Sequence, residues 1–309
     1  MGETLTQQGR VEFLSGLVNG VTDGGEIHAR IVNTNARSSD YSFVYDTPRP
    51  GHADFAALQK YGNAVDLRGG GHFSGRLTAP LCIAGGMAMQ YLAARGITVG
   101  AHIAAIHGVR DAAFDAATVD AATLEALKRS SFPVLRETVA EAMMNEISTA
   151  RAAADSVGGV IECAAVGIPA GLGEHMFDGV EGRFASLLFS IPAVKGVAFG
   201  AGFGAAELYG SENNDPFVTD GKTVRTKTNN AGGILGGMTS GMPLVFRVAF
   251  KPTPSIAREQ ETVSLSRMEN TTLKIGGRHD PTVVVRAVPV VEAAAAIALL
   301  DLLLDHPEL

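Results

Sequence analysis

A chain of 309 residues with 46% hydrophobic and 18% charged side chains has enough apolar material for a sizeable core, and that balance excludes an intrinsically disordered protein. The formal net charge of -7 excludes a general nucleic-acid binder, which needs a basic face to release counterions, but leaves room for local cation clusters that hold small phosphorylated ligands. Only two cysteines occur, Cys82 and Cys163, each inside an apolar run, so no disulfide framework is expected. The polar residues 1–10 offer no secretory signal. The most apolar stretch, 288–304, is interrupted by Glu292 and Asp301, so a cytoplasmic protein without a membrane partner is expected.

Residues 11–17 and 26–32 read as short strands around a glycine-rich turn at 20–25. The stretch 38–61 is dense in turn formers, and Gly69-Gly70-Gly71 then precedes an apolar helix over 76–94 that Gly96 ends. A strand is expected at 97–106, with helices at 120–128 and 134–156, the second ending at Gly158-Gly159. A strand at 160–166, a short helix at 181–190 and a strand at 195–199 follow, and 200–241 is rich in loop residues. Strands at 244–251 and 282–287 precede a closing helix at 290–304, apolar nearly all round and therefore expected in the core. Short hairpins are as frequent as strand–helix alternation, which favours an α+β layered fold over a doubly wound parallel sheet. No linker or repeat divides the chain, so one domain over 1–309 is expected.

Several familiar motifs fail on inspection. Gly200-Ala201-Gly202-Phe203-Gly204-Ala205 has dinucleotide-fingerprint spacing, but residues 207–215 offer no full helix to face a pyrophosphate. Gly221-Lys222-Thr223 resembles the end of a phosphate-binding loop, yet Pro216 stands at the position of its first glycine. No H-E-x-x-H, paired-cysteine, calcium-loop or Gly-x-Ser-x-Gly pattern occurs, so no metal site and no esterase nucleophile are expected.

What remains is a set of glycine-flanked polar clusters. His52 and Asp54 follow Arg49-Pro50-Gly51, and the triple glycine leads through His72, Phe73 and Ser74 to Arg76, opening a helix whose free N–H groups suit an anion. Residues 229–237 let backbone approach a flat ligand closely, Lys251-Pro252-Thr253-Pro254-Ser255 leaves a strand with a cation and two hydroxyls, and 277–281 sets Arg278, His279 and Asp280 side by side. Any one of these is more often a turn than a site. Together, in a chain this poor in charge, they describe a pocket for phosphorylated anions with His and Asp available for proton transfer.

These clusters, in this order, resemble the signatures of the chorismate synthase family. The resemblance rests on R-P-G-H-A-D at 49–54, the triple glycine with Arg76, P-A-G-L-G-E at 169–174 and A-V-K-G-V at 193–197. It continues with N-A-G-G-I-L-G-G at 230–237, K-P-T-P-S at 251–255, G-R-H-D-P at 277–281 and R-A-V-P at 286–289. It implies a β-α-β sandwich fold and a cytosolic homotetramer that eliminates phosphate from C3 and a proton from C6 of 5-enolpyruvylshikimate 3-phosphate, with reduced FMN as cofactor. By motif, His52 would protonate the flavin and Asp280 would act with the flavin in taking the C6 proton. His72, Phe73, Ser74, Ala193, Gly236, Lys251, Pro252, Thr253, Pro254, Ser255 and Arg278 would line the FMN site, and Arg76 and Arg49 would pair with substrate anions.

Two departures from the family pattern stand out. His72-Phe73-Ser74-Gly75-Arg76-Leu77-Thr78 replaces the commoner R-S-S-A-R-E-T, and Pro192 replaces an Asn. Relatives also begin with roughly fifty further residues that contain F-G-E-S-H-G. On that ground the alternative expectation is a catalytically impaired member that only binds flavin or assembles with partners.

Overall fold

The structure, a computed structural model, describes residues 10–32, 43–276 and 279–309. The chain opens with β1 (Val11–Ser15), β2 (Leu17–Val18), β3 (Val21–Thr22) and β4 (His28–Ile31), followed by α1 (Asp54–Tyr61) and α2 (Thr78–Ala94). Then come β5 (Thr98–Ile106), β6 (Val109–Arg110), α3 (Ala121–Lys128), α4 (Glu137–Ala152), β7 (Gly159–Val166), α5 (Val180–Ser190) and β8 (Val194–Phe199). The stretch from α6 (Gly210–Asn213) holds β9 (Phe217–Thr219), β10 (Val224–Thr226), β11 (Ile234–Leu235) and β12 (Met238–Thr239). The chain ends with β13 (Leu244–Phe250), β14 (Glu259–Ser264), β15 (Glu269–Lys274) and α7 (Val284–Asp305). Contacts divide these into two compact units, Met1–Ile83 with Glu259–Gly277 and Ala84–Arg258 with Arg278–Leu309.

The second unit is built on one five-stranded sheet in the order β6-β5-β7-β13-β8, with every neighbour antiparallel. The α+β expectation therefore holds. α7 packs along β5, β7 and α5, and its Ala- and Leu-rich surface is buried at most positions. On composition α7 is long and apolar enough to cross a membrane, as is Gly75–Ala94, but 72% of the apolar window of α7 lies inside the protein, which makes it a core helix. α2 meets α7 at Gly85, where any Cβ would fall on Ala293. In the first unit, β1 and β4 form a ribbon, β14 and β15 a hairpin, and Val44, Ala57, Val65 and Leu67 a small core with Phe43, Leu58 and Phe73 packed on it.

Four sequence expectations change. The strand expected at 282–287 is the first part of α7, which contains Pro289. Pro289 stands in the second turn of α7, where it has no N–H to donate to Val285 O, and burial of the helix against β5 and β7 outweighs both that lost bond and the strand preference of the valines. The helix expected at 134–156 is shorter because the Asp111 carboxylate accepts the N–H groups of Leu135 and Arg136, and Ala154 adopts φ +56 after the last turn. A helix, α1, lies inside the stretch 38–61 read as turns. Finally, β14 and β15 occupy a region where the patterning pointed to no element.

Candidate functional site

In the first unit the R-P-G-H-A-D loop runs into α1 and folds back on its own acid. Asp54 is fully buried. Its Oδ2 accepts from the Arg49 backbone N–H at 3.1 Å and from Arg49 Nε at 2.7 Å, and Oδ1 accepts from Arg49 Nη2 at 2.8 Å. His52 Nδ1 lies 2.6 Å from the same Oδ1. Burial alone would raise the Asp54 carboxyl, but the hydrogen bonds and positive charge from Arg49 and His52 win and hold it well below the usual carboxylate range. Arg49, placed by sequence among the substrate cations, is itself 5% exposed with its guanidinium on Asp54. The β14–β15 hairpin fastens the approach to this loop. Thr262 Oγ1 donates to Pro48 O, Ser264 Oγ to Asp46 Oδ2 and the Ser266 N–H to Asp46 Oδ1.

The triple glycine lies in a 3₁₀ turn, Arg68–Phe73, and not at the start of α2, which begins only at Thr78 after a second 3₁₀ turn, Gly75–Leu77. Gly71 sits at φ +52 against the Asp66 carbonyl, so only glycine fits there. Phe73 packs on the small core, His72 and Arg76 are exposed, and Ser74 Oγ accepts the Arg76 N–H at 3.2 Å.

In the second unit the bend at 156–158 joins two of the predicted clusters. Ser156 Oγ donates to Thr253 O at 2.7 Å, and the Val157 N–H donates to Pro281 O at 2.8 Å. Gly158 packs against Phe250 O, Lys251 and Pro252 so closely that a Cβ has no room. Lys251 donates its N–H to Ala193 O at 2.9 Å, and Ala193 holds φ +75, a conformation that strains any residue with a Cβ. The β8–β13 register shifts beside it, between Ala249 and Phe250. Burial lowers the Lys251 pKa, and repulsion from Lys195 lowers it further. Asp280 Oδ1 accepts from Arg286 Nη2 at 3.0 Å. Ala193, Lys251 to Thr253 and Asp280 are thus tied into one framework. Gly236 stands at the turn of the β11–β12 hairpin, whose next residue, Gly237, accepts the Val180 N–H. Arg278 lies outside the described residues.

A family profile described as chorismate synthase matches residues 3–304. The chain belongs to the chorismate synthase family. It is 46% identical over 308 residues to a chorismate synthase of Lancefieldella parvula, covering 96% of this chain and 81% of the relative. The corresponding figures for a chorismate synthase of Thermococcus kodakarensis are 50% over 294 residues, 95% and 80%. A crystal structure of a chorismate synthase superposes with a TM-score of 0.73 at 28% identity, covering 96% of this chain and 77% of that one. The chain is accordingly a lyase of this family, as its motifs predicted.

The flavin implied by the family can be tested against the residues present. Among the described residues Thr253 Oγ1 is buried without a hydrogen-bond partner, in the middle of the predicted cofactor motif. A buried hydroxyl left unmatched costs roughly 1–3 kcal/mol, so a ligand or water that bonded it would be favoured at this position. The mutual repulsion of Lys195 and Lys251 suits a bound anion in the same way. The donor set therefore fits a phosphorylated cofactor, and Lys195 is a residue that the sequence reading did not single out.

Sequence reasoning also missed a buried polar staple across β5 and β7, whose residues lie 60 positions apart. His102 Nε2 lies 2.9 Å from Glu162 Oε2, which also accepts the Phe114 N–H at 2.7 Å. Glu292 of α7 accepts the Ala101 N–H at 2.9 Å, and burial pushes its carboxyl up to about 7. Neither feature belongs to the chorismate synthase motifs.

Proposed function

We propose that this chain converts 5-enolpyruvylshikimate 3-phosphate to chorismate by an anti-1,4-elimination that requires reduced FMN. Reduced FMN, when bound, supplies electron density transiently and recovers it, so the reaction is redox-neutral overall. Lys251, Thr253, Ser255 and Arg278 hold the cofactor's polar groups, with Lys195 adding charge beside Lys251. His72, Phe73, Ser74, Ala193, Pro252, Pro254 and Gly236 line its remaining surface. Arg76 pairs with substrate carboxylate or phosphate, and Arg49 contributes its charge from behind His52. His52 supplies a proton from its ring, and Asp280, steadied by Arg286, takes the C6 proton on a carboxylate oxygen as phosphate leaves C3.

The observation that carries this reading is the His52 imidazole, 13% exposed and set 2.6 Å from a fully buried carboxylate, within the family's own R-P-G-H-A-D motif. The same reading makes the chain a cytoplasmic homotetramer, in keeping with exposed apolar side chains such as Phe203 and Phe217, and light scattering on the purified protein tests it. The deciding assay is chorismate formation by this chain with pre-reduced FMN under anaerobic conditions. His52→Ala and Asp280→Asn should each lower turnover on the order of 10²- to 10⁴-fold. Tight FMN binding with no product would replace this reading with the alternative of a flavin-binding or assembly role.

A further inference from the structure

We infer that Asp54 is a positioning residue for His52. It fixes a proton on Nδ1 and so makes Nε2 the nitrogen through which the ring exchanges its proton. This rests on the reading of His52 as a proton-handling group, but the geometry behind it stands alone.

Two structural explanations of Asp54 can be set against it. An acid at the start of a helix commonly caps the free N–H groups or complements the dipole. Here the N-cap is Ala53 in αR conformation with no side-chain cap, and the Asp54 carboxylate turns back along the chain onto Arg49 and His52. A buried ion pair with Arg49 is the second explanation. The two-pronged contact from Arg49 Nε and Nη2 already satisfies that need, and it gives no reason for an imidazole at 2.6 Å from Oδ1.

The protonation of the ring follows from donor and acceptor counting. His52 Nδ1 has two polar neighbours, Asp54 Oδ1 at 2.6 Å and Arg49 Nη2 at 3.1 Å. Arg49 Nη2 directs one of its two hydrogens to Oδ1 at 2.8 Å and lies 3.1 Å from Nδ1, farther than the carboxylate oxygen at 2.6 Å, so the carboxylate contact governs the ring. A bare Nδ1 would set its lone pair against an ionised carboxylate oxygen at hydrogen-bond distance, which is repulsive in a site where Asp54 has no exposure to water. Nδ1 therefore carries hydrogen and donates to Asp54. In free histidine the neutral ring favours hydrogen on Nε2, so the carboxylate reverses the ordinary tautomer and leaves Nε2 with the lone pair in the neutral form and the labile hydrogen in the charged form. Arg49 keeps the carboxylate ionised and immobile, which is why these three residues sit within six positions of chain.

The test uses the full chain with histidine labelled in both ring nitrogens and a long-range proton–nitrogen correlation spectrum, the His52 signals being assigned by their loss in His52→Gln. The expected result is a protonated Nδ1 in the wild type across the range where Nε2 changes state, and a shift towards hydrogen on Nε2 in Asp54→Asn. A bare Nδ1 in the wild type overturns the proposal, and that spectrum needs no variant of Asp54 to fold. In turnover assays Asp54→Asn should lower kcat about tenfold or more with KM changed less than about threefold, and it should add less than about threefold in a His52→Ala background. An equal loss with and without His52 would make Asp54 merely structural. If His52→Ala itself leaves turnover unchanged, the proton-handling role of His52 fails while the proposed function stands, and the spectrum still decides whether Asp54 sets the tautomer.

Discussion

Glu292 offers a stability test whose sign depends on pH. The carboxyl sits on α7 with 7% of the residue exposed, and its one oxygen caps the Ala101 N–H on the open edge of β5. Burial is the largest influence on it, and the Ala101 hydrogen bond and the charge of Lys128 offset this only partly, so it titrates at about 7 where an ordinary glutamate titrates near 4.5. Because the folded-state value is raised, the folded chain holds a proton that the unfolded chain has released between those two pH values. Stability is therefore lost as pH rises from about 4.5 to about 7, on the order of 3 kcal/mol in all.

Glu292→Gln keeps an oxygen for Ala101 but cannot ionise, and its buried NH2 group costs about 1–3 kcal/mol if it finds no partner. The variant should then be the less stable protein near pH 5 and gain steadily on the wild type up to pH 8. The difference between the two should change by about 3 kcal/mol over that range, a relative Tm shift of several degrees. Urea melts of both proteins at pH 5, 6, 7 and 8 measure it, and every other titrating group cancels in the difference. Parallel pH profiles would refute the reasoning, because they would mean that Glu292 ionises as easily in the fold as outside it.

Other substitutions separate features that sequence alone would treat alike. Gly85→Ala should destabilise by about 2–3 kcal/mol, since its methyl falls on Ala293 of α7, whereas Gly86→Ala, facing open space, should stabilise by about 0.5–1 kcal/mol through helix propensity. Paired denaturation curves check this, and a shared sign would contradict the close α2–α7 crossing. Thr253→Val removes a hydroxyl that has no partner among the described residues, so the ligand-free protein should melt at the same temperature or higher, while FMN affinity measured by fluorescence titration falls roughly 5- to 10-fold. Cys163, fully buried and with its thiol raised well above the usual range chiefly by burial, should resist thiol reagents until the chain unfolds, as a native-against-denatured titration would show.

Elements specified by local chemistry were legible in advance. Asp120 caps α3 through the Thr123 N–H, and Gly96 marks the end of α2. The unread elements have long-range causes. β14 and β15 carry mostly polar residues, E-Q-E-T-V-S and E-N-T-T-L-K, with little apolar alternation, and they are held partly by Asp46, which lies 218 positions from Ser264. α7 begins earlier than expected because burial against β5 and β7 settles a valine run that local preference leaves ambiguous. Of the candidate residues, the glycines and the H-A-D spacing were visible as motifs. That Arg49 turns inward onto Asp54, or that the charge of Lys195 acts on Lys251 beside a shifted register, depends on how strands and loops are brought together and leaves no mark in spacing.

Asp54 and Glu292 show why burial alone cannot identify the acid that matters. Desolvation is the largest influence on each and acts to raise both. Asp54 meets a guanidinium and an imidazole at hydrogen-bond distance and remains a fixed anion. Glu292 meets one backbone N–H and the charge of Lys128 and becomes an acid that is half-protonated near neutral pH. A search for a group poised near pH 7 would select Glu292, yet its oxygen only completes the hydrogen bonding of a strand edge inside the α7–β5 core. Asp54 titrates far from neutrality and so would be passed over, although a permanent charge is what an imidazole needs beside it to keep one tautomer. Partner chemistry, more than the size of the perturbation, separates a residue that serves a reaction from one that serves the fold.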